Sequence, residues 1–155
     1  MLKIVLADSD EYLEHIRELF KEYTNSLGFD LSFQNFDQEF AELPGKYALP
    51  EGRLFLAIYD EKVSGCAALR KFVDDICEMK RLYVKPEFRR KGIGKALVNT
   101  VINAAKEIGY LTMRIDTVPW MKEAIALYHS LEFKDIATYR YNPIPGTVYM
   151  ELKLK

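Results

Sequence analysis

The first repeating pattern along the chain is helical. Tyr12, Leu13, Ile16, Leu19, Phe20, Tyr23 and Leu27 recur at i, i+3, i+4 and i+7, while Glu14, Arg17, Glu18, Lys21 and Glu22 fill the positions between them. Asp8-Ser9-Asp10-Glu11 offers cap chemistry and acids at the positive helix end, and Gly28 closes the segment. A short apolar run at residues 3–7 precedes the cap and reads as a strand. In mid-chain, residues 53–59, 63–72 and 76–84 read as successive strands. Asp60-Glu61-Lys62 and Val73-Asp74-Asp75 connect them, short enough for hairpins. With the second turn centred near Asp74, Cys77 falls opposite Phe72 and Cys66 opposite Tyr83, several rungs apart and too far to bridge. The next stripe is helical again: Ile93, Ala96, Leu97, Val101, Ala104, Ala105 and Ile108, with Gly109 just past its end. Residues 111–116 then form a strand, and a further helix opens at Pro119 and carries Met121, Ala124, Leu127, Tyr128 and Leu131. Residues 133–139 and 148–154 read as a last strand pair, joined by Asn142-Pro143-Ile144-Pro145-Gly146. Between the first helix and the hairpins, residues 36–43 read as a short helix, and Phe29, Leu31, Phe33, Phe36, Phe40 and Tyr47 stand amid polar neighbours. Most of these aromatics are expected to pack on the sheet, one or two to line a pocket.

Consecutive hairpins followed by one crossover helix imply a mixed sheet in an α/β fold, mainly antiparallel, with residues 1–155 as a single domain. Apolar residues make up 49% of the chain and charged ones 29%, with net charge −1, so no overall field attracts nucleic acid or an anionic membrane. No apolar run is long enough to span a bilayer, and no N-terminal stretch reads as a signal peptide. Cys66 and Cys77 are too few for a disulfide framework, so a cytoplasmic protein is expected. His15 and His129 lack ligand spacing, and no metal site is expected.

The positive charge that the chain does carry is local. After the strand at 76–84, Pro86 halts sheet pairing, and Arg89, Arg90, Lys91 and Lys95 surround a turn holding Gly92 and Gly94 ahead of the central helix. First-turn N–H groups of such a helix point outward and, with its dipole, form an anion site suited to phosphate. A P-loop would need glycine where Arg89 stands and Ser or Thr where Ala96 stands; a dinucleotide fingerprint would need glycine in place of Leu97. What remains, Arg89-x-x-Gly92-x-Gly94 behind an apolar strand, resembles the acyl-CoA signature of the GNAT superfamily of N-acyltransferases. The order of elements resembles that family over essentially the whole chain.

The resemblance implies an N-acetyltransferase fold and acetyl-CoA as cosubstrate. It implies coenzyme contacts from Leu82, Tyr83 and Val84 to the pantetheine arm and oxyanion, and from Arg89, Arg90, Lys91, Gly92, Ile93, Gly94 and Lys95 to the pyrophosphate. A second segment, Ala124-x-x-Leu127-Tyr128-x-x-Leu131-x-Phe133, resembles the family helix whose tyrosine sits near the coenzyme sulfur, making Tyr128 the general acid for the departing thiolate. The chain departs from many members at Met121, where they have Asn, and at Glu132, where they have Gly. Strand alternation places Glu78, Lys80, Leu82 and Val84 on one face and Met79, Arg81 and Tyr83 on the other. Glu78 is then either the base that deprotonates the acceptor amine or one half of a charge pair with Lys80 or Arg81. Tyr139, Arg140, Tyr141 and Asn142 either close over the acceptor or form an ordinary final hairpin, and Asp116 ends a strand where it could equally cap the next helix. No activated cysteine stands out, so direct attack in a ternary complex is expected. The acceptor is expected to be a small cationic amine, or a peptide or protein amine; homodimers are common in the family, and the resemblance allows one here. A non-catalytic acyl-CoA sensor would share the phosphate turn without needing Tyr128.

Overall fold

The computed structural model describes residues 1–28, 36–140 and 142–155. Strand β1 (Leu2–Leu6) leads into α1 (Asp10–Leu27), whose Ser9 side chain accepts a hydrogen bond from the Tyr12 N–H and whose end is set by Gly28 at φ 75°. Helix α2 (Phe36–Ala41) and a 3₁₀ turn at Gly45–Tyr47 precede β2 (Arg53–Tyr59), β3 (Lys62–Val73) and β4 (Ile76–Val84). Then come α3 (Ile93–Ile108), β5 (Thr112–Thr117), α4 (Lys122–Ser130), β6 (Lys134–Asp135) and β7 (Val148–Lys153). The strands form one sheet in the order β1-β2-β3-β4-β5-β7-β6. Every neighbouring pair is antiparallel except β4 and β5, which α3 connects as a crossover and which therefore run parallel.

Each face of the sheet has its own apolar cluster. Ala57, Ala67, Leu69, Cys77, Met79, Met113, Ile115 and Met150 pack with α3, Tyr128 and Phe133, while Leu54, Leu56, Cys66, Ala68 and Tyr83 pack with the Ile16, Leu19 and Phe20 stripe of α1. Over β5 and β7 that second face is polar, carrying Arg114, Asp116 and Glu151 instead of a helix.

Three details differ from the sequence reading. The last helix begins at Lys122, because Pro119 and Trp120 lie in a turn closed by the Met121 N–H on the Val118 carbonyl. Strand β6 is only two residues long: after the Ile136 N–H bonds the Tyr149 carbonyl, Tyr139 and Arg140 leave the ladder and reach Glu78. The register of β3 on β4 contains two irregularities. Phe72 is an extra residue near the hairpin, so Cys77 pairs with Lys71, while the expected Cys66–Tyr83 pairing is present.

The second irregularity changes the faces of β4. Pairing steps from Ala68–Lys80 to Cys66–Tyr83, leaving one residue over, and Arg81 takes φ 58°. Alternation is interrupted there. Lys80 reaches Asp116 and Arg81 reaches Glu39 and the Tyr23 ring, so both join Glu78 and Tyr83 on the α1 side, while Leu82 and Val84 pack with Met79 on the α3 side. Strict period-two alternation had grouped Glu78 and Lys80 with Leu82 and Val84, and the bulge separates them.

Candidate active site

Ladder pairing between β4 and β5 covers only Ile76–Thr112, Cys77–Met113 and Glu78–Arg114. Beyond Glu78 the strands splay, and a cleft of about 780 Å³ opens between the end of β4, the basic turn and α4. Leu82, Tyr83, Val84, Arg89, Arg90, Gly92, Ile93 and Gly94 line it on one side, Trp120, Met121, Ala124 and Leu127 on the other. A narrower recess shares Leu82, Met121 and Ala124 with this cleft and continues to Lys80, Asp116, Tyr23 and Tyr128.

At the mouth, the first intrahelical bond of α3 runs from the Ala96 N–H to the Gly92 carbonyl at 3.1 Å, so the N–H groups of Ile93, Gly94 and Lys95 precede the ladder. The two glycines serve different ends. Gly92 sits at φ 79°, where an L side chain is strained, whereas a Cβ on Gly94 would stand 3.8 Å from Leu127 and 3.9 Å from Val84, filling the narrow floor between β4 and α4. Outward N–H groups at the start of a helix, beside a floor that carries no Cβ at Gly94, are the chemistry that holds a phosphate. The basic side chains divide. Arg90 lines the cleft, and Arg89 braces the turn by donating from Nε to the Val84 carbonyl at 3.0 Å. Lys91 lies over the Tyr59 ring at 5.5 Å; it and Lys95 stand outside the lining.

Tyr128 is buried, packs against Phe133 with ring centroids 5.5 Å apart, and its hydroxyl has no hydrogen-bond partner among the described residues. Burial pushes its phenol up, so it is a neutral proton donor at ordinary pH. The helix end holds it in place. The Phe133 N–H bonds the Tyr128 carbonyl and the Glu132 N–H bonds the His129 carbonyl, a Schellman arrangement whose left-handed residue is Glu132 at φ 73°.

Across the recess, Lys80 Nζ donates to Asp116 Oδ1 at 3.3 Å, and Asn142 donates to Oδ2 at 3.4 Å. Burial pushes the Lys80 ammonium down to about 8 against the pull of Asp116. Burial works against the Asp116 anion as well, yet Lys80 and then Arg140 hold its carboxyl below the usual carboxylate range. Sequence reasoning did not link these two residues. Its only signal was a lysine inside a largely apolar strand.

Glu78 lies elsewhere. It is fully buried, lines neither cavity, and accepts hydrogen bonds from Arg70 (3.0 and 2.8 Å), Arg140 (3.1 and 2.9 Å) and the Tyr139 hydroxyl (2.7 Å). Burial opposes its charge, but Lys80, Arg70 and Arg140 hold the carboxyl below its usual range. Of the early aromatics, Tyr47 is core, edge-on to Phe20 and donating to Glu39, which in turn holds Arg81. Phe29, Leu31, Phe33 and Tyr141 lie outside the described residues. Burial pushes both cysteine thiols up, with Cys77 at about 12. No group of three or more potential metal ligands occurs among the described residues.

Comparison with known proteins gives the family and the fold. The Acetyltransferase (GNAT) family profile matches residues 13–133. An uncharacterised N-acetyltransferase of Schizosaccharomyces pombe is 40% identical over 144 residues, 92% of this chain and 88% of the relative. In fold, a GNAT-family acetyltransferase of Staphylococcus aureus superposes with a TM-score of 0.82 over 100% of both chains, at 20% identity. An acetyltransferase of Salmonella typhimurium, whose structure holds its cofactor acetyl-CoA, superposes with a TM-score of 0.72 over 99% of this chain and 94% of that one, at 20% identity.

Proposed function

This chain belongs to the GNAT family of acetyltransferases, and on that premise we propose that it moves the acetyl group of acetyl-CoA to an amine by direct attack within a ternary complex. The observation that carries the reading is the recess in which Tyr128, Lys80 and Asp116 meet, opening directly into the cleft beneath the Gly92–Gly94 turn. Main-chain N–H groups at the start of α3, with Arg90, take the pyrophosphate, and the splayed edge of β4 at Leu82 and Val84 takes the pantetheine amides and the developing oxyanion. Lys80 in its neutral form removes a proton from the acceptor nitrogen, held toward it by Asp116. The nitrogen bonds to the thioester carbonyl carbon as the carbon–sulfur bond breaks, and Tyr128 gives its proton to the departing thiolate. Exchange with solvent then restores both side chains. Glu78, its lone pairs taken by two guanidinium groups and a phenol, anchors Arg70 and Arg140 in this reading and leaves the base role to Lys80.

Release of coenzyme A thiol from acetyl-CoA, followed across a panel of amines, amino acids and peptides against an acceptor-free blank, tests this. Tyr128→Phe is expected to lower kcat by about 10²-fold while leaving acetyl-CoA affinity within a few-fold. Turnover unchanged in Tyr128→Phe would remove the tyrosine from the mechanism, and binding without turnover for every acceptor would favour a sensor.

A further inference from the structure

The polar face beside the recess carries a cation with an unused edge. Arg140 is 22% exposed at its side chain and bonds both oxygens of Glu78 through Nη1 alone. Its Nε and Nη2 hold three further N–H bonds, for which the described residues supply no partner. Every side-chain nitrogen or oxygen shut off from solvent has a partner among the described residues, so this unpartnered edge, like the Tyr128 hydroxyl, is reached by solvent. Arg140 is tied to the recess from two sides. Glu78 sits one side-chain step from Lys80 along the same face of β4, and Asn142, two residues past Arg140, bonds Asp116.

The charges around this edge do not suit a second cation. Glu78 is fully engaged by Arg70, Arg140 and Tyr139, and both oxygens of Asp116 have donors. Arg81 is matched by Glu39, and Arg114 by Glu151. The linked charges of this face, Lys80 and Asp116 in the recess and Arg70, Glu78 and Arg140 beside it, therefore sum to an excess of positive charge with one guanidinium edge free. The small cationic amine expected from the sequence would find no free carboxylate among the described residues of this face.

We propose that the Nε–Nη2 edge of Arg140 binds a carboxylate of the acceptor, so that the acceptor is an amino acid with a free carboxylate, its amine directed toward Lys80. This rests on the acetyltransferase reading and specifies its substrate class. A planar guanidinium edge accepts a carboxylate through two parallel hydrogen bonds, fixing orientation as well as affinity. Nη1 stays on Glu78, which prevents the fork from turning away. Arg140 thus acts on specificity and does not touch the reacting atoms.

The experiment compares L-amino acids with their α-amides as acceptors for acetyl-CoA, by thiol release, in the wild type, Arg140→Gln and Arg140→Lys. Free acids are expected to exceed their amides in kcat/KM by about tenfold to a hundredfold in the wild type, the worth of one charged hydrogen-bond pair. Arg140→Gln should raise KM for the acid by at least about tenfold, leave kcat within a few-fold and leave the amide unchanged. Arg140→Lys keeps a charge on Glu78 and should fall between, which separates a lost anchor from a destabilised fold. Equal use of acids and amides by the wild type, or equal losses on both in Arg140→Gln, would overturn the anchor while leaving the acetyltransferase intact. If calorimetry shows acetyl-CoA bound yet neither acids nor amines lacking a carboxylate are acetylated, the acetyltransferase reading itself fails, and the anchor with it.

Discussion

Lys80 is a lysine in a place where few lysines survive: 5% exposed, on a central strand, paired with Asp116 and one step along the strand from Glu78. Burial favours its neutral form, and the sign of the resulting pH dependence follows. As pH rises past about 8 Lys80 loses its proton, so kcat/KM should climb through a limb near that value. The limb should stay near 8 when acceptors of different amine basicity are exchanged, because it belongs to the enzyme. In Lys80→Met it should vanish, with activity lowered on the order of 10²-fold. A limb that follows each acceptor's own basicity would return the proton to bulk solvent and reduce Lys80 to a partner for Asp116.

At the scale of the element, the end of α4 carries an avoidable strain. Glu132 occupies the left-handed position at φ 73°, is exposed, and its side chain gains no partner among the described residues in return. Glycine there would relieve the steric cost, so Glu132→Gly should stabilise the protein by about 1 kcal/mol and raise Tm by about 2–4 °C in a thermal melt. The helix frame around it was legible in the sequence because the apolar stripes of α1 and α3, the Ser9 cap and Gly109 are local signals, as is the turn that places Gly92 and Gly94. What escaped was set by partners remote in the chain. Strand β6 stops short because Tyr139 and Arg140 are drawn to Glu78, more than sixty residues away. Lys80 meets Asp116 only because β4 and β5 run parallel and then part, which no spacing within either strand announces. The bulge at Arg81 was invisible for a related reason: Lys-Arg-Leu-Tyr reads as plain alternation until Glu39 and Asp116 each claim a cation on the same side.

For the whole molecule, Glu78 ties β3, β4 and the segment before β7 together through Arg70 and Arg140. Its carboxyl is held below the usual range, so the stabilisation it brings is complete above the ordinary carboxylate value near ~4 and is lost as pH falls through the lower folded value. Glu78→Gln should therefore cost about 3–5 kcal/mol in urea unfolding at pH 7, since it leaves two guanidinium groups unmatched. The gap between mutant and wild type should narrow once pH falls below the ordinary carboxylate range and close below the lower folded value, where the wild-type carboxyl is itself neutral. A gap that stays constant with pH would show that the loss is one of packing and not of charge.

The extra residue in β4 has a meaning in descent as well. A codon inserted into a regular strand turns every later side chain inside out, and such a lineage loses its core. Here the bulge accommodates one extra residue: Leu82 and Val84 meet α3, Tyr83 meets α1, and Arg81 turns to Glu39 on the α1 side. The strand therefore has one position at which an added residue leaves its apolar neighbours in place, and its occupant can change only together with the Glu39 that holds it.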